Sequence, residues 1–451
     1  MTTDQLIVSV SGVRGIVGRG LTPDVAGRFA AALGTHLDGG PVVLSRDSRP
    51  SGDMLASAAA ANLLAAGCRV IDCGIVPTPT CGLAVRINAA AGGLQVTASH
   101  NPAPWNGLKL FGPDGAVLSP IEGAKVRAVY EAGQFRSVPW DQVGVRQAIS
   151  NPFRPHCDTV MYLLDVERLR SCQFDVLLDA NGGAGGDAGL ELLRGLGCAV
   201  TPLGCEMDGA FAHEPEPVPA HLGGVARQVK DGGVVAGFVL DPDADRLALI
   251  DETGNCLSEE LTLALAVQYR LGQERGPVVV NMSTSRVIED LCKRFGVPFH
   301  RSAVGEANVV ALMRETGALI GGEGNGGVID PRVGWVRDPF IGMGMILSLM
   351  AETNKPLSRL AAELPTYTIV KDKYELPREE LPAALARLRM RWPDAVVNEI
   401  DGLRLDLPDG WLHVRGSNTE PVVRVIAEAA TAAAARDLCT AGGEVMMSAK
   451  R

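Results

Sequence analysis

The chain has 451 residues, 46% of them hydrophobic and 21% charged, with no low-complexity tract. That length exceeds one ordinary core and predicts three or four domains. Its 42 basic and 52 acidic residues leave a formal charge of −10, which excludes the broad basic face of a nucleic-acid binder.

Alanine and glycine are abundant and aromatics make up only 4%. This composition suits helices alternating with strands through glycine-rich turns better than an all-β sandwich. The ten cysteines form no C-x-x-C pair, and the apolar run Leu6–Val10 is too short for a secretory signal before Ser11 and Arg14. Reduced thiols in a cytoplasmic protein are expected. No apolar run approaches the ~18 residues of a membrane span. The expected partner is a small molecule, with neither nucleic acid nor membrane; the oligomeric state is left open.

In chain order, Pro41–Ser45 predicts a strand, Asp53–Ala66 a helix ending at Gly67, and Arg69–Cys73 the next strand. The rhythm returns at Phe174–Asp179, Ala188–Arg194 and Ala199–Leu203, and again at Val278–Met282, Thr284–Phe295 and Pro298–Ser302. Repeated strand–helix–strand units imply parallel or mixed sheets covered by helices. Beyond them, Ala395–Ile400, Leu403–Leu407, Trp411–Arg415 and Val422–Glu428 read as strands before a terminal helix. Val138–Pro155, Asp251–Ser258 and Pro365–Pro377 read as linkers. The expected class is α/β: three similar α/β domains with mixed sheets (1–145, 146–251 and 252–365) and a smaller C-terminal α+β domain (366–451).

Four loops and one turn carry candidate chemistry. Near the N-terminus, Ser11-Gly12-Val13-Arg14-Gly15 places a cation in a turn. The first loop runs Thr97-Ala98-Ser99-His100-Asn101-Pro102, with Lys109 ten residues after Ser99. A serine beside a histidine, with a lysine close behind, suits a nucleophile that carries a phosphoryl group; a polar turn before proline has the same composition. The second is Asp241-Pro242-Asp243-Ala244-Asp245-Arg246 between apolar strands. Alternating carboxylates converge on a hard cation if the backbone curls, and Mg²⁺ fits this framing. An EF-hand is the competing pattern, but Arg246 stands where that loop needs glycine.

The third loop, Gly321-Gly322-Glu323-Gly324-Asn325-Gly326-Gly327, has five glycines, leaving Glu323 and Asn325 to read a ligand. Carboxylate and carboxamide suit vicinal hydroxyls, and the spacing matches neither Walker A nor a dinucleotide fingerprint. The fourth, Arg415-Gly416-Ser417-Asn418-Thr419-Glu420-Pro421 with Arg424 beyond, has the make-up of a phosphate cradle. A capping box at Ser417 and Glu420 is the alternative, opposed by Pro421 and the strand-like stretch that follows. His36, His156, His221 and His300 show no metal-ligand spacing and receive no role.

Taken together, the loops resemble the α-D-phosphohexomutase superfamily in both content and order. TASHNP resembles its phosphoserine loop, DPDADR its metal loop, GEGNGG its sugar loop and RGSNTEPVVR its phosphate loop. The resemblance spans Ser11 to Arg424. It implies four domains around a central cleft and an enzyme that interconverts hexose 6-phosphate and hexose 1-phosphate. A phosphate carried on Ser99 would pass to the sugar, a bisphosphate would turn over in the cleft, and its other phosphate would return to Ser99. A hexose 1,6-bisphosphate would serve as activator.

On this resemblance Ser99, Asp241, Asp243 and Asp245 bind Mg²⁺. Arg14 and Lys109 meet the transferring group, and His100 or Lys109 is the acid–base. Arg246, Glu323, Asn325, Arg415, Ser417, Asn418, Thr419 and Arg424 contact substrate. The family more often has serine and histidine at Asn325 and Gly327, and proline at Gly416. The EGNGG form, the stretch Val304–Asn308 and SNTEP look most like the archaeal-type phosphoglucosamine mutases, with a dual-specificity phosphomannomutase/phosphoglucomutase as the alternative. A metal-dependent phosphatase, a catalytically dead sugar-phosphate regulator and a sugar kinase fit less well. The histidines lack the pattern of paired-metal hydrolases, Ser99 and the aspartates are all present, and no triphosphate loop is visible.

Overall fold

A computed structural model of the chain describes residues 6–9, 12–416 and 422–448. It contains four sheets, one per unit of the chain. The first three share a plan. A central strand (Val42–Arg46, Asp175–Asp179, Val278–Asn281) pairs in parallel with two neighbours, and one of these neighbours is followed by a strand that turns back antiparallel to it. Buried β-branched and leucine runs form these central strands, as expected where helices cover both faces. The fourth sheet has five strands, all antiparallel, backed by helices Leu381–Arg391 and Ala432–Met447.

This common plan explains where the four chemistry-bearing loops lie. Each connects two antiparallel neighbours: Gly92–Val96 to Trp105–Phe111, Ala236–Leu240 to Leu247–Asp251, Ile320–Glu323 to Gly327–Ile329, and Gly410–Gly416 to Val422–Ala429.

Two stretches read as linkers contain strands. Arg146–Ala148 pairs in parallel with Val70–Asp72 and extends the first sheet. Thr368–Glu375, inside the stretch Pro365–Pro377, is an eight-residue strand along Val422–Ala429. Both are edge strands. The first is three exposed residues, too short to show a period, and the second carries a charged run at Lys371–Lys373, so the apolar alternation that betrays a strand is missing. The helix expected from Thr284 starts at Val287, because Asn281 Oδ1 binds Ser283 N–H and Thr284 Oγ1 in a preceding turn.

The second and third units share one continuous core, from Val160 and Phe238 to Ile288 and Leu360. Its spine is helix Pro339–Thr353, in which Pro339 through Met350 are all buried, as suits a helix apolar on every side. The first and fourth units have cores of their own, and the first also packs on the third through Val336 and Ala116. His156, assigned no role from sequence, ties three units together. Its Nδ1 lies 2.9 Å from Thr80 Oγ1 and its Nε2 2.8 Å from Asp338 Oδ2, all buried. Among the described residues no helix is long and apolar enough to cross a membrane, and all ten cysteines are free thiols.

Candidate active site

Ser99 sits where the strand Gly92–Val96 ends. Thr97 Oγ1 accepts the Ser99 N–H at 2.9 Å and curls the chain into a left-handed turn, with Ser99 at φ 52°. A non-glycine residue holds that conformation only when its surroundings demand it. Arg49 supplies the demand. Its guanidinium donates to the carbonyls of Ser99, Asn101, Pro102 and Trp105 at 2.6–3.1 Å, while Asp47 holds its Nε at 3.1 Å. Gly107 lets this loop close on the neighbouring strand, since a β-carbon there would stand 2.4 Å from the Val13 carbonyl oxygen. The result aims Ser99 Oγ, 1% exposed, at Asp241 Oδ2, 3.2 Å away and 142 residues on in sequence.

The three aspartates form a buried cluster whose ligand atoms lie within 4.8 Å of one another. Asp241 Oδ1 accepts the N–H groups of Asp245 and Arg246, which bends the loop so that all three carboxylates face inward. Lys109 Nζ bridges Asp243 and Asp245 at 3.0 and 2.9 Å, and Thr78 Oγ1 donates to Asp243 at 2.8 Å. Burial, Asp245 and Asp243 together push Asp241 well above the ordinary carboxylate range. Burial acts the same way on Asp245, but Arg337, Lys109 and Arg246 outweigh it and hold that carboxyl low. Asp243 Oδ1 and Asp245 Oδ1 remain buried without a hydrogen-bond partner. Two orphaned carboxylate oxygens beside a third acid are the donor set a hard divalent cation takes up.

His100 adjoins the serine, with Nδ1 3.2 Å from Ser99 Oγ and Nε2 3.9 Å from Glu216 Oε1. Burial, with Arg246 and Arg14 nearby, pushes its pKa down to about 3, so the imidazole is neutral. Arg14 lies on the strand beside Gly107, its Nη1 3.5 Å from Asn101 Oδ1. Burial lowers its pKa, and Asp243 and Asp245 partly offset that effect. Arg246 reaches Glu216 at 3.4 Å.

The sugar loop meets this cluster through Arg337, which the sequence reading did not single out. Its Nη2 donates to Asp245 at 2.6 Å and its Nη1 to Glu323 Oε2 at 2.8 Å, and its backbone N–H donates to Glu306 Oε1 at 2.8 Å. Glu323 also accepts from Asn281 Nδ2 and from the Gly305 N–H. Asn325 Oδ1 is buried without a partner. Gly324 has a defined reason to lack a side chain, because a β-carbon there would meet the Glu260 carboxylate at about 2 Å. A cavity of about 560 Å³ opens between the first and third units, lined among others by Arg14, Lys109, Glu306, Glu323 and Arg337.

In the fourth unit, Arg415 and Arg424 stand directly opposite each other across the antiparallel pair, and Lys373 is opposite Arg424 on the next strand. Like charges in register repel, and an anion set among them would relieve that repulsion. Ser417, Asn418 and Thr419 lie outside the described residues, as do Glu420 and Pro421.

Models of the phosphoglucomutase/phosphomannomutase α/β/α domains I, II and III match residues 5–137, 154–254 and 258–367, and the model of the C-terminal domain matches 369–441. The chain belongs to the phosphoglucomutase/phosphomannomutase family. It is 36% identical over 437 residues to the Methanopyrus kandleri protein named "Probable phosphoglucosamine mutase", covering 95% of each chain. A "Phosphoglucomutase/phosphomannomutase" of Thermococcus kodakarensis is 35% identical over 447 residues, covering 97% of this chain and 98% of the relative. Among solved structures, a family protein of Burkholderia thailandensis superposes with a TM-score of 0.83 at 28% identity, over 98% of this chain and 97% of the other. As a phosphohexomutase the protein is an isomerase, an enzyme that moves a phosphoryl group within its substrate.

The fold therefore brings Ser99, His100, Lys109, Arg14, Asp241, Asp243, Asp245 and Arg246 into one cluster in this phosphohexomutase, with Glu323 attached through Arg337. Arg415 and Arg424 form a separate cationic patch, joined to the third unit by Asp401, whose Oδ2 accepts the Val304 N–H at 3.0 Å. Sequence reasoning missed Arg49, Arg337, Glu306 and Glu216. For Arg49 the signal was available: Asp47-Ser48-Arg49 just past a strand end puts an acid and an arginine two residues apart, and both are fully buried.

Proposed function

We propose that this phosphohexomutase carries its phosphoryl group on Ser99 and converts glucosamine 6-phosphate to glucosamine 1-phosphate. The carrying observation is the approach of Ser99 Oγ to the aspartate cluster at 3.2 Å, in a buried loop that Arg49 holds rigid. In the first half-reaction the Ser99 Oγ–P bond breaks, phosphorus bonds the free sugar hydroxyl oxygen, and the hydroxyl proton passes to the released Ser99 Oγ. In the second, the O–P bond of the sugar's other phosphate breaks, that phosphorus bonds Ser99 Oγ, and the serine proton passes to the freed sugar oxygen. A hexose 1,6-bisphosphate added from outside restores the charged enzyme when the intermediate escapes.

The residues divide this work by charge. Asp241, Asp243, Asp245 and the group on Ser99 would hold Mg²⁺, which when bound would supply positive charge against the transferring oxygens. Lys109 and Arg14 stabilise the same oxygens from the first unit. Burial would lower Lys109, but Asp243, Asp245 and Glu306 outweigh it and keep the ammonium protonated. The His100 imidazole is neutral and 3.2 Å from Ser99 Oγ, but so low a pKa makes it a weak base, and His100 and Lys109 both stand as the acid–base. Arg415 and Arg424, with Ser417, Asn418 and Thr419, anchor the phosphate that is not reacting, while Arg246 orients the acidic loop.

Glu323 and Glu306 line the same cavity, and a pair of carboxylates meets an ammonium at C2 better than a hydroxyl. One observation favours a second reading, a dual-specificity phosphomannomutase/phosphoglucomutase. Arg337 ion-pairs with both acids and offsets part of their charge, which suits them to neutral hydroxyls better than free carboxylates would be. The test is turnover on glucosamine 6-phosphate, glucose 1-phosphate and mannose 1-phosphate, with Mg²⁺ and a trace of the matching bisphosphate. Preference for the amino sugar supports the first reading. Comparable rates on glucose and mannose phosphates replace it with the second.

A further inference from the structure

A bisphosphate that turns over in the cleft must let go of its phosphate anchor once in every cycle. Beside that anchor stands a carboxylate that the reaction has not yet used. Asp401 lies in the turn before the strand Leu403–Leu407, and its Oδ2 is 2.9 Å from Nε of Arg415. The same oxygen accepts the Val304 N–H from the third unit at 3.0 Å. The next amide, Gly305 N–H, donates to Glu323 Oε1 at 3.2 Å. Two successive amides therefore hold the carboxylate beside the phosphate anchor and the carboxylate of the sugar loop.

The turn is built for this position. Gly402 has φ 75°, and a β-carbon there would stand 2.2 Å from the Val414 carbonyl oxygen and 3.0 Å from Arg415 Cα. The turn thus rests on the backbone of the arginine it faces. The Asp401 carbonyl is 2.7 Å from His413 Nε2, whose other ring nitrogen meets Ser283 Oγ of the third unit at 3.0 Å. Asp401 is therefore located by partly buried contacts on both sides of the joint between the third and fourth units. Its contact with Arg415 differs in kind. The Nε–H is buried without a hydrogen-bond partner despite the short distance, so the pair is held by charge and not by a directed bond. Such a contact exchanges readily when a phosphate offers better-aligned oxygens.

We propose that Asp401 is a positioning residue that weakens the grip of Arg415 on the non-reacting phosphate, so that the bisphosphate can release its anchor and turn. The proposal rests on the mutase reading above. Without a carboxylate here, Arg415, Arg424 and Lys373 would present three cations in register to a phosphate dianion, a tight trap rather than a pivot. With Asp401 in place, the arginine stays pre-placed while part of its charge is already balanced.

Asp401→Asn separates charge from structure, because the carboxamide oxygen still accepts the Val304 N–H. Calorimetric titration of the full-length variant with inorganic phosphate should show a Kd lowered roughly threefold to tenfold against wild type. The gain should vanish in the double variant Asp401→Asn/Arg415→Gln, which assigns it to the anchor. In mutase assays KM and kcat of Asp401→Asn should fall together, as expected when a substrate is held too well. Unchanged or weaker phosphate binding overturns the proposal, and so does a raised KM with lowered kcat, the pattern of lost support. Absence of turnover by the wild-type enzyme on every hexose phosphate defeats the mutase reading instead. The phosphate titration still decides, in that case, whether Asp401 restrains Arg415.

Discussion

Arg337 donates to Asp245 at 2.6 Å, so a side chain of the third unit is bonded directly to a carboxylate of the aspartate loop in the second. The same guanidinium holds Glu323, and no other described arginine contacts both loops in this way. Arg337→Ala leaves Asp245, Glu323 and Glu306 short of a buried counter-charge, a loss of roughly 3–5 kcal/mol. A divalent ion replaces that charge at Asp245. Thermal unfolding with and without Mg²⁺ should therefore show the variant destabilised, and stabilised by the ion more than wild type is. An equal Mg²⁺ increment in both proteins contradicts the coupling.

Asp243→Asn removes one ligand while leaving Ser99 Oγ and Asp241 in contact. Mg²⁺ affinity by calorimetry and turnover should drop together, each by about tenfold or more. An unchanged Mg²⁺ requirement would remove Asp243 from the site.

Ser99→Ala should abolish turnover while leaving Mg²⁺ binding detectable, and intact-mass measurement should show loss of the single phosphoryl adduct. Near-normal rates in this variant would sink the nucleophile assignment.

Arg49 tests the loop without touching the chemistry. Lysine keeps the charge but cannot reach four carbonyls with a fixed fork, so Arg49→Lys should lower kcat about tenfold to a hundredfold and change KM little. Limited proteolysis should become faster between Ser99 and Trp105. Unaltered cleavage alongside lowered kcat would argue against loop support as the cause.

Glu260 gives a pH dependence of known sign. Burial pushes its pKa up to about 8, and the Ser285 N–H only partly opposes this. The folded state therefore holds a proton that the unfolded chain releases above pH ~4.5. Stability from this group is full below that pH and declines as pH rises towards 8, by at most about 1.4 kcal/mol per unit. Glu260→Gln mimics the protonated acid. Its melting temperature should match wild type near pH 5 and exceed it near pH 8.5, and parallel curves would refute the assignment.

Much of this architecture was legible in residue order. Central strands such as Val278–Asn281 announce themselves because they are buried on both faces and run apolar up to their last residue. Edge strands such as Thr368–Glu375 do not, since half of their pattern is solvent-facing charge. The site followed the same division. Asp241, Asp243 and Asp245 share one loop, so their spacing discloses a cation site. Arg337 sits among ordinary loop residues, and nothing local marks it as the partner of Asp245, 92 residues away.

Sequence alone determined the chemistry each loop can offer: a serine nucleophile, alternating carboxylates, a glycine-rich reader and an arginine-bearing anchor. It did so because hydrogen-bonding type and backbone freedom are properties of residues and their neighbours. Tertiary structure alone decided which of these groups act on one another. It brought Ser99 to Asp241, turned Arg337 to both acidic loops and set Asp401 between Arg415 and Val304. Those pairings come from helices and sheets packing across unit boundaries, where burial selects one arrangement and no short stretch of chain records it.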